Sequence, residues 1–159
     1  MDLESETMLF CRAGERVCAL PIFFVVETLR PLPVETWPNA PSILIGVSMI
    51  RSMSVPVLHL SRILGVPGTS DFTSSPSGER WITVRSQQRL FALAVDAVHG
   101  VRTVAKEGLL PLPLQGEQVT AGALDAVAVN DAALFFVLSA TQLVPDSIWA
   151  ELQQRMPAT

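Results

Sequence analysis

The sequence predicts a mainly β protein made of two small five-stranded barrels over a shared hydrophobic core, with only short helices. Three observations lead to this fold class. Short apolar runs alternate with turn residues throughout the 159-residue chain, which is typical of small β-barrels. These runs repeat weakly along the chain. Helical spacing of apolar residues is clear only in a C-terminal stretch.

Ten apolar runs fit short strands. The first two flank Gly14-Glu15, which fits a two-residue hairpin loop, and the last two flank Asn130-Asp131. Pro56 has no N–H to donate to a ladder, so its strand is expected at a sheet edge or at a bulge. The predicted strands are residues 8–12, 17–20, 27–30, 46–51, 55–60, 81–85, 90–94, 101–105, 123–129 and 134–138.

Helix is predicted in two places. Residues 61–64 fit one helical turn, which Gly65 closes as a C-terminal cap. Residues 145–156 place Ile148, Trp149 and Leu152 on one helical stripe, which is expected to pack on the chain's own barrel. Between the two halves of the chain, residues 66–78 are rich in Ser, Thr, Pro and Gly and are predicted to form a flexible loop.

The weak repeat has two slightly different offsets. Arg12 recurs as Arg85 and Val25 recurs as Val98, both at the same offset along the chain. Val57-Leu58 recurs as Val137-Leu138 at a somewhat longer offset, and the difference falls in the loops between. A duplicated hairpin-plus-hairpin unit would give two similar five-stranded lobes. Chance similarity between apolar strands is the alternative.

The composition favours a protein that binds other proteins. Hydrophobic residues make up 49% of the chain, charged residues only 16%, and the mean hydropathy is +0.40, so exposed apolar surface and partners are expected. The net charge is −4 and Lys106 is the only lysine, which argues against nucleic acid as a partner. The acidic N-terminus does not fit a signal peptide, and no apolar run is long enough to span a bilayer, so a cytoplasmic protein without direct membrane insertion is expected.

The sequence contains no recognisable active site. An enzyme would have to combine Cys11 or Ser48 with His59 or His99, and neither nucleophile lies in a known catalytic signature. A phosphate-binding glycine loop and a set of metal ligands are also missing, so no cofactor is expected. Cys11 and Cys18 fall opposite each other in the first hairpin and are predicted to be free, half-buried thiols.

Three stretches carry a family resemblance. They are MLF, VCALPI and VETL within residues 8–29; PNAP, IGVSMIR and VPVLHL within residues 38–60; and FALAVDAV, LPLP and the last strand within residues 91–143. In order and spacing they resemble the CheW-like domain family of bacterial chemotaxis coupling proteins. The resemblance implies one domain over residues 8–144 made of two intertwined SH3-like barrels. Residues 1–7 are then an N-terminal tail, and residues 145–159 a short C-terminal helix and tail.

The resemblance also implies partners and sites. The partners are the cytoplasmic tip of a chemoreceptor and the regulatory domain of a CheA-type histidine kinase, in arrays at the membrane. On the receptor side it implies Met49, Arg51 and Ser52; on the kinase side Val25, Glu27, Leu29, Ile45 and Val47. The alternatives are a solvated turn arginine for Arg51 and ordinary core for the kinase-side residues.

Three further residues are predicted to be structural. Asp96 is expected to cap the turn that follows it through backbone N–H groups, and Gly46 and Pro56 to shape their strands. Trp37, in a proline-rich passage, is equally compatible with core and with an interface.

The sequence departs from the family pattern in three places. The Asn-Leu-Arg-Gly stretch is replaced by Met49-Ile50-Arg51-Ser52, and His59 and Ser139 stand where the family usually has Asp. These departures leave a second function open, namely a CheW-like module of a pilus-motility or other non-flagellar sensory array with altered receptor binding.

Overall fold

The chain folds into two β-sheets and two short α-helices in a computed structural model that describes residues 5–65, 79–111, 124–130 and 133–155. The mainly β class is therefore confirmed. The strands are β1 (Ser5–Ala13), β2 (Arg16–Pro21), β3 (Val25–Leu29), β4 (Leu44–Ile50), β5 (Met53–His59), β6 (Arg80–Ser86), β7 (Arg89–Val95), β8 (Ala97–Ala105), β9 (Leu110–Pro111), β10 (Leu124–Asn130) and β11 (Ala133–Leu138), and the helices are α1 (Leu60–Leu64) and α2 (Asp146–Arg155).

Each sheet mixes strands from both halves of the chain. Sheet A has the order β8-β1-β2-β11-β10-β9, and sheet B has the order β3-β6-β7-β5-β4. Hairpins supply the antiparallel pairs β1–β2, β4–β5, β6–β7 and β10–β11. The antiparallel pairs β1–β8 and β3–β6 and the parallel pairs β2–β11 and β5–β7 join the two halves of the chain. Because neither half of the chain completes a sheet alone, the two sheets are intertwined.

The apolar alternation of the strands fills three clusters. The largest takes residues from both sheets, among them Leu20, Leu58 and Leu93, so the expected shared core is present. A second cluster lies within sheet A, where the rings of Phe10 and Phe135 meet edge to face with centroids 4.9 Å apart across β2. A third lies within sheet B. Each sheet therefore curls around its own small cluster and presents its other face to the shared core.

The helices end and pack as the sequence predicts. Gly65 closes α1 in the left-handed region with φ of 68°, and its N–H bonds to the last turn. Helix α2 packs Ile148, Trp149 and Leu152 against the shared core, and the ring of Trp149 meets that of Phe91 at 5.9 Å. The predicted flexible loop, residues 66–78, lies outside the described residues.

Several sequence predictions need correction. Strand β1 begins at Ser5 rather than at residue 8, and the two-residue β9 was not predicted. Pro56 lies in β5, which is an interior strand of sheet B, and the bulge of that hairpin lies between Leu44 and Gly46 instead. Proline is tolerated there because the parallel pairing with β7 begins only at Val57, so no ladder bond is lost.

The two cysteines lie directly opposite each other in the first hairpin, as predicted, and both are free. They are fully buried rather than half-buried. Burial raises the pKa of the Cys18 thiol to about 12 and that of Cys11 well above its usual value. Neither thiol is therefore a nucleophile at neutral pH.

Candidate partner-binding site

The turn between β4 and β5 is a tight two-residue hairpin loop. Ile50 pairs with Met53, which leaves Arg51 and Ser52 as the loop residues. Both have positive φ, 50° and 67°, as a type I′ turn requires. A positive φ is strained for any residue that has a Cβ. The turn therefore presents Arg51 outward at a cost in backbone conformational energy.

Arg51 makes a two-pronged ion pair with Glu27. Its Nε donates to Glu27 Oε2 at 2.7 Å, and its Nη2 donates to Oε1 at 2.8 Å. Strands β3 and β4 are the two opposite edge strands of sheet B. Because the sheet curls, the turn that follows β4 lies close to Glu27 on β3. The Arg51 side chain stays 77% exposed and that of Glu27 25% exposed. An exposed pair of this kind contributes little to stability, so it is free to act in recognition.

The ion pair shifts the pKa of both of its members. The hydrogen bond from Arg51 lowers the pKa of the Glu27 carboxyl, and Glu27 in turn raises the pKa of the guanidinium. Both groups are therefore charged at neutral pH. A partner that engages Arg51 with a carboxylate must compete with Glu27 for the same planar fork.

Thr83, which the sequence analysis missed, holds Glu27 in place. Its buried hydroxyl accepts a hydrogen bond from the Glu27 N–H at 3.1 Å and donates to the Glu27 carbonyl at 3.2 Å. The β3–β6 register shifts at this point, between Val25 and Glu27. The hydroxyl thus satisfies backbone groups that the bulge removes from the regular ladder. The sequence indicates this role of Thr83 only through the presence of a hydroxyl side chain in a largely apolar strand.

Exposed apolar side chains accompany the ion pair. Met49 is 64% exposed and Met53 is also exposed, one on each side of the turn. Val26, beside Glu27 in sequence, is 49% exposed. Apolar side chains around an arginine are typical of protein interfaces, where the apolar contacts keep water from the polar one.

Among the residues that the structure describes, the large apolar side chain with the greatest exposure is that of Phe23, at 87%. It lies in a single-turn 3-10 helix, Ile22–Phe24, between β2 and β3. Phe24 turns inward to the shared core, and its ring contacts that of Phe23 edge to face at 5.2 Å. Phe23 does not stand out in the sequence, because the largely apolar run of residues 17–26 does not reveal which side chains turn outward.

The predicted kinase-side residues do not form one outward strip. Val25 packs against the shared core, and Leu29 and Ile45 pack against the cluster within sheet B, so all three are half-buried. Val47 exchanges both of its backbone hydrogen bonds with Glu35, at 2.8 and 2.9 Å. On β3 the outward positions are Val26 and Thr28.

The passage after β3 crosses closely over β4. A Cβ at Gly46 would lie 2.7 Å from the backbone oxygen of Glu35, which only glycine permits. The buried Ser48 hydroxyl donates to the Pro33 carbonyl at 2.8 Å. Trp37, further along the passage, is half-buried against the shared core. Gly46 and Ser48 thus anchor the edge of sheet B that leads to the Arg51 turn.

Asp96 caps a different turn from the predicted one. Its Oδ2 accepts a hydrogen bond from the N–H of Gly14, in the β1–β2 loop, at 2.5 Å. Its own N–H donates to the Arg12 carbonyl at 2.8 Å. Strand β8 begins directly after Asp96, so no following turn is available for it to cap.

Among the described residues, no group of three or more His, Cys, Asp and Glu side chains is arranged to hold a metal ion. His59 is buried at the start of α1 and His99 is exposed on β8. None of the described helices has the length and apolar character needed to cross a membrane.

Comparison with known proteins agrees with this architecture. The profile of the CheW-like domain family matches residues 7–147. A scaffolding protein, TtCheW from Thermoanaerobacter tengcongensis, superposes with a TM-score of 0.75 at 21% identity, over 84% of this chain and 88% of that one. This likeness supports the fold alone.

Curated relatives are similar over much of the chain. A probable chemotaxis protein CheW from Rhizobium etli is 28% identical over 103 residues, which are 64% of this chain and 63% of that protein. Protein FrzA from Myxococcus xanthus is 28% identical over 126 residues, 79% of this chain and 76% of FrzA. The match to the Rhizobium etli protein thus spans less than two thirds of that relative's length.

Proposed function

Because the chain belongs to the CheW-like domain family of chemotaxis scaffold proteins, we propose that it is a non-catalytic adaptor that couples chemoreceptors to a CheA-type histidine kinase. It would act in the cytoplasm, recruited to receptor arrays, with one surface for the receptor tip and another for the kinase regulatory domain. The family membership supports the scaffold role, and the site supports the use of sheet B in binding.

The observation that carries the proposal is the exposed Arg51–Glu27 pair. A strained turn presents Arg51, a buried threonine positions its partner, and exposed methionines lie on both sides of the turn. Such an arrangement does little for the fold, since the ion pair is open to solvent. A receptor tip with an acidic or amide side chain can take the guanidinium fork from Glu27 and cover Met49 and Met53 in the same contact.

The kinase surface is proposed at the outer side of β3. Val26 and Thr28 are exposed there, and Phe23 stands out just before the strand. The half-buried Val25, Leu29, Ile45 and Val47 support this surface from beneath rather than contact the kinase with their full side chains. Burial of Phe23 and Val26 by a partner removes apolar area from water, which favours docking.

The receptor side is tested by titrating the purified chain with a receptor-tip fragment and, separately, with the kinase regulatory domain. Arg51→Ala is expected to weaken receptor binding by about tenfold, a typical loss for an interface arginine, and to leave kinase binding unchanged. Arg51→Lys should recover part of the loss, because lysine lacks the planar fork. Arg85→Ala, at another exposed arginine of sheet B, is the matched control. Unchanged receptor affinity in Arg51→Ala would refute this role.

The kinase side is tested with Val26→Asp. A charge in the centre of an apolar contact should weaken kinase binding by about tenfold or more, while the melting temperature stays nearly constant because the side chain is exposed. Val101→Asp makes the same change at an exposed valine of β8 in sheet A and serves as the control. Equal effects of the two variants would indicate that the kinase docks elsewhere.

A second candidate is an adaptor for a pilus-motility or other non-flagellar array. Three departures favour it, since Ser52, His59 and Ser139 replace residues usual in the family. His59 and Ser139 are buried and Ser52 is exposed, so Ser52 alone can alter a receptor contact directly. Receptor-tip fragments from both kinds of array, titrated side by side, distinguish the two candidates.

A further inference from the structure

A buried carboxyl group lies at the start of β6, beside the point where the chain crosses from β7 of sheet B to β8 of sheet A. Glu79 precedes β6 of sheet B and is only 3% exposed. Its Oε1 atom is shielded from solvent and has no hydrogen-bond partner in the described part of the chain. Leaving an ionised carboxylate in that state is costly, and neutralisation by a proton is the usual solution.

A second carboxyl group lies next to it, because Arg80 pairs with Val95 at the end of the β6–β7 ladder and the adjacent residues Glu79 and Asp96 leave that ladder side by side. Asp96 lies between β7 of sheet B and β8 of sheet A, and it accepts the hydrogen bond from Gly14 at the tip of the β1–β2 hairpin. This contact fixes the orientation of the Asp96 carboxyl toward the β1–β2 turn. Burial, and then the charge of Asp96, raise the pKa of Glu79 above its usual value. The two groups therefore differ in environment, as a proton donor and its acceptor do.

The neighbouring cations do not neutralise Glu79. Arg12, from β1, donates through Nη1 to the Gly14 carbonyl at 2.7 Å, and Arg80, from β6, donates to the backbone carbonyl of Glu79 itself at 2.8 Å. Both guanidinium groups are thus engaged with backbone oxygens. With Arg12 at this junction, a divalent cation is also a poor fit, since its charge would be repelled.

We propose that Glu79 and Asp96 share one proton and form a pH-sensitive clasp between the two sheets. With the proton bound, Glu79 donates to the Asp96 carboxylate, and Asp96 holds the Gly14 turn of sheet A. When the proton leaves, two negative charges face each other in a partly buried place, and the hairpin of sheet A separates from the start of β6 more easily. The clasp does not depend on the function proposed above.

The expected pH dependence follows from the direction of the pKa change. A carboxyl whose pKa is raised by folding binds its proton more tightly in the folded state. The free energy of unfolding therefore falls as pH rises from about 4.5, the usual glutamate value, through the raised pKa of Glu79. Stability from the clasp is present at acidic pH and lost at higher pH.

The experiment follows the Glu79 carboxyl by carbon-13 NMR in glutamate-labelled protein, together with thermal unfolding at about pH 5 and about pH 8. We expect Glu79 to titrate above 4.5, and the protein to lose on the order of 2–4 °C in Tm across that range relative to Glu79→Gln. Asp96→Asn, which keeps an acceptor for Gly14, should lower the titration midpoint of Glu79. Glu107→Gln, at an exposed glutamate, is the control and should behave as the wild type.

Two results would overturn the clasp. Titration of Glu79 at or below 4.5, or parallel Tm profiles for wild type and Glu79→Gln, would show that no proton is held there. Saturable stabilisation by calcium chloride that Glu79→Gln abolishes would assign the carboxyl pair to a cation instead. Amide exchange of Gly14 tests the coupling to the hairpin. The protection factor of this amide, which is its intrinsic exchange rate divided by the measured rate, should be higher at about pH 5 than at about pH 8.

Discussion

Sheets A and B have the same pairing scheme but differ at their surfaces. In sheet B the register of β3 against β6 shifts between Val25 and Glu27, and in sheet A the register of β1 against β8 shifts between Phe10 and Cys11, opposite Gly100 and Val98. Val98 is the counterpart of Val25 in the repeat seen in the sequence, so the two irregularities coincide. Two halves with the same irregularities in the same places point to duplication of one unit.

The hairpins β4–β5 and β10–β11 extend the correspondence. Their shifts fall between Leu44 and Gly46 and between Leu124 and Ala126, which are equivalent positions under the longer offset of the repeat. The difference lies in what each sheet displays. Sheet A has Gly100 where sheet B has Glu27, and Arg51 corresponds in sequence to Asp131, which lies outside the described residues. Backbone pairing thus tolerates divergence of exposed side chains.

The largest effect is expected where the sheets differ by one methyl group. Gly46 of sheet B corresponds to Ala126 of sheet A, but an added Cβ at Gly46 meets the Glu35 backbone. Gly46→Ala should cost about 2–3 kcal/mol of unfolding free energy, because backbone has to move. Chemical denaturation measures it. Gly108→Ala, where a Cβ meets open space, is the control, and an equal small effect at both positions would contradict the close crossing.

A smaller effect is expected at Thr83, whose counterpart in sheet A is Phe10. Thr83→Val keeps the shape but removes the hydroxyl that serves Glu27, at a cost of about 1–2 kcal/mol. Receptor binding should strengthen slightly, since a Glu27 carboxylate that is no longer held in one position competes less well for the Arg51 fork. The control is Thr103→Val, because Thr103 makes only an exposed hydroxyl contact with Thr7 in sheet A. If Thr83→Val is as mild as Thr103→Val, the hydroxyl does not position the site.

The smallest effect is expected at the hairpin turns of sheet B. Ser52 and Gln88 both have positive φ, 67° and 64°. Replacing either with glycine should stabilise the protein by about 0.5–1 kcal/mol, as relief of backbone strain exceeds the entropy of the more flexible unfolded chain. Denaturant midpoints measure both. Only Ser52→Gly should also change receptor affinity, and a matching change in Gln88→Gly would place the receptor contact beyond the Arg51 turn.

Much of the fold was accessible from local pattern. Apolar alternation located ten strands, Gly14-Glu15 located the first hairpin, and the spacing of Ile148, Trp149 and Leu152 located α2. Pro56 was misplaced for a clear reason. Because Pro56 has no N–H, it can donate no ladder bond at that one residue. Strand β5 still lies inside sheet B, because its pairing with β7 begins at the next residue, Val57.

The candidate site was less accessible. Arg51 and Glu27 were both singled out, but for different partners, and nothing local indicates that they touch each other. Val25, Leu29 and Ile45 were proposed as kinase-side contacts, with ordinary core as the alternative, and they are half-buried because the curl of sheet B turns them toward its cluster and the shared core. The exposure of Phe23 was not predicted, because an apolar run does not indicate which of its side chains face water.

The sequence by itself determined the strands, the turns, the repeat and the family, since these depend on residues close together in the chain or on their order. Tertiary structure alone decided which strands pair between the two halves of the chain, the meeting of Arg51 with Glu27, and the convergence of Glu79, Asp96 and Gly14. Those contacts join residues 24 and 82 positions apart, as for Arg51–Glu27 and Gly14–Asp96. Their formation depends on how the sheets curl and pack, which is a property of the whole core rather than of any segment.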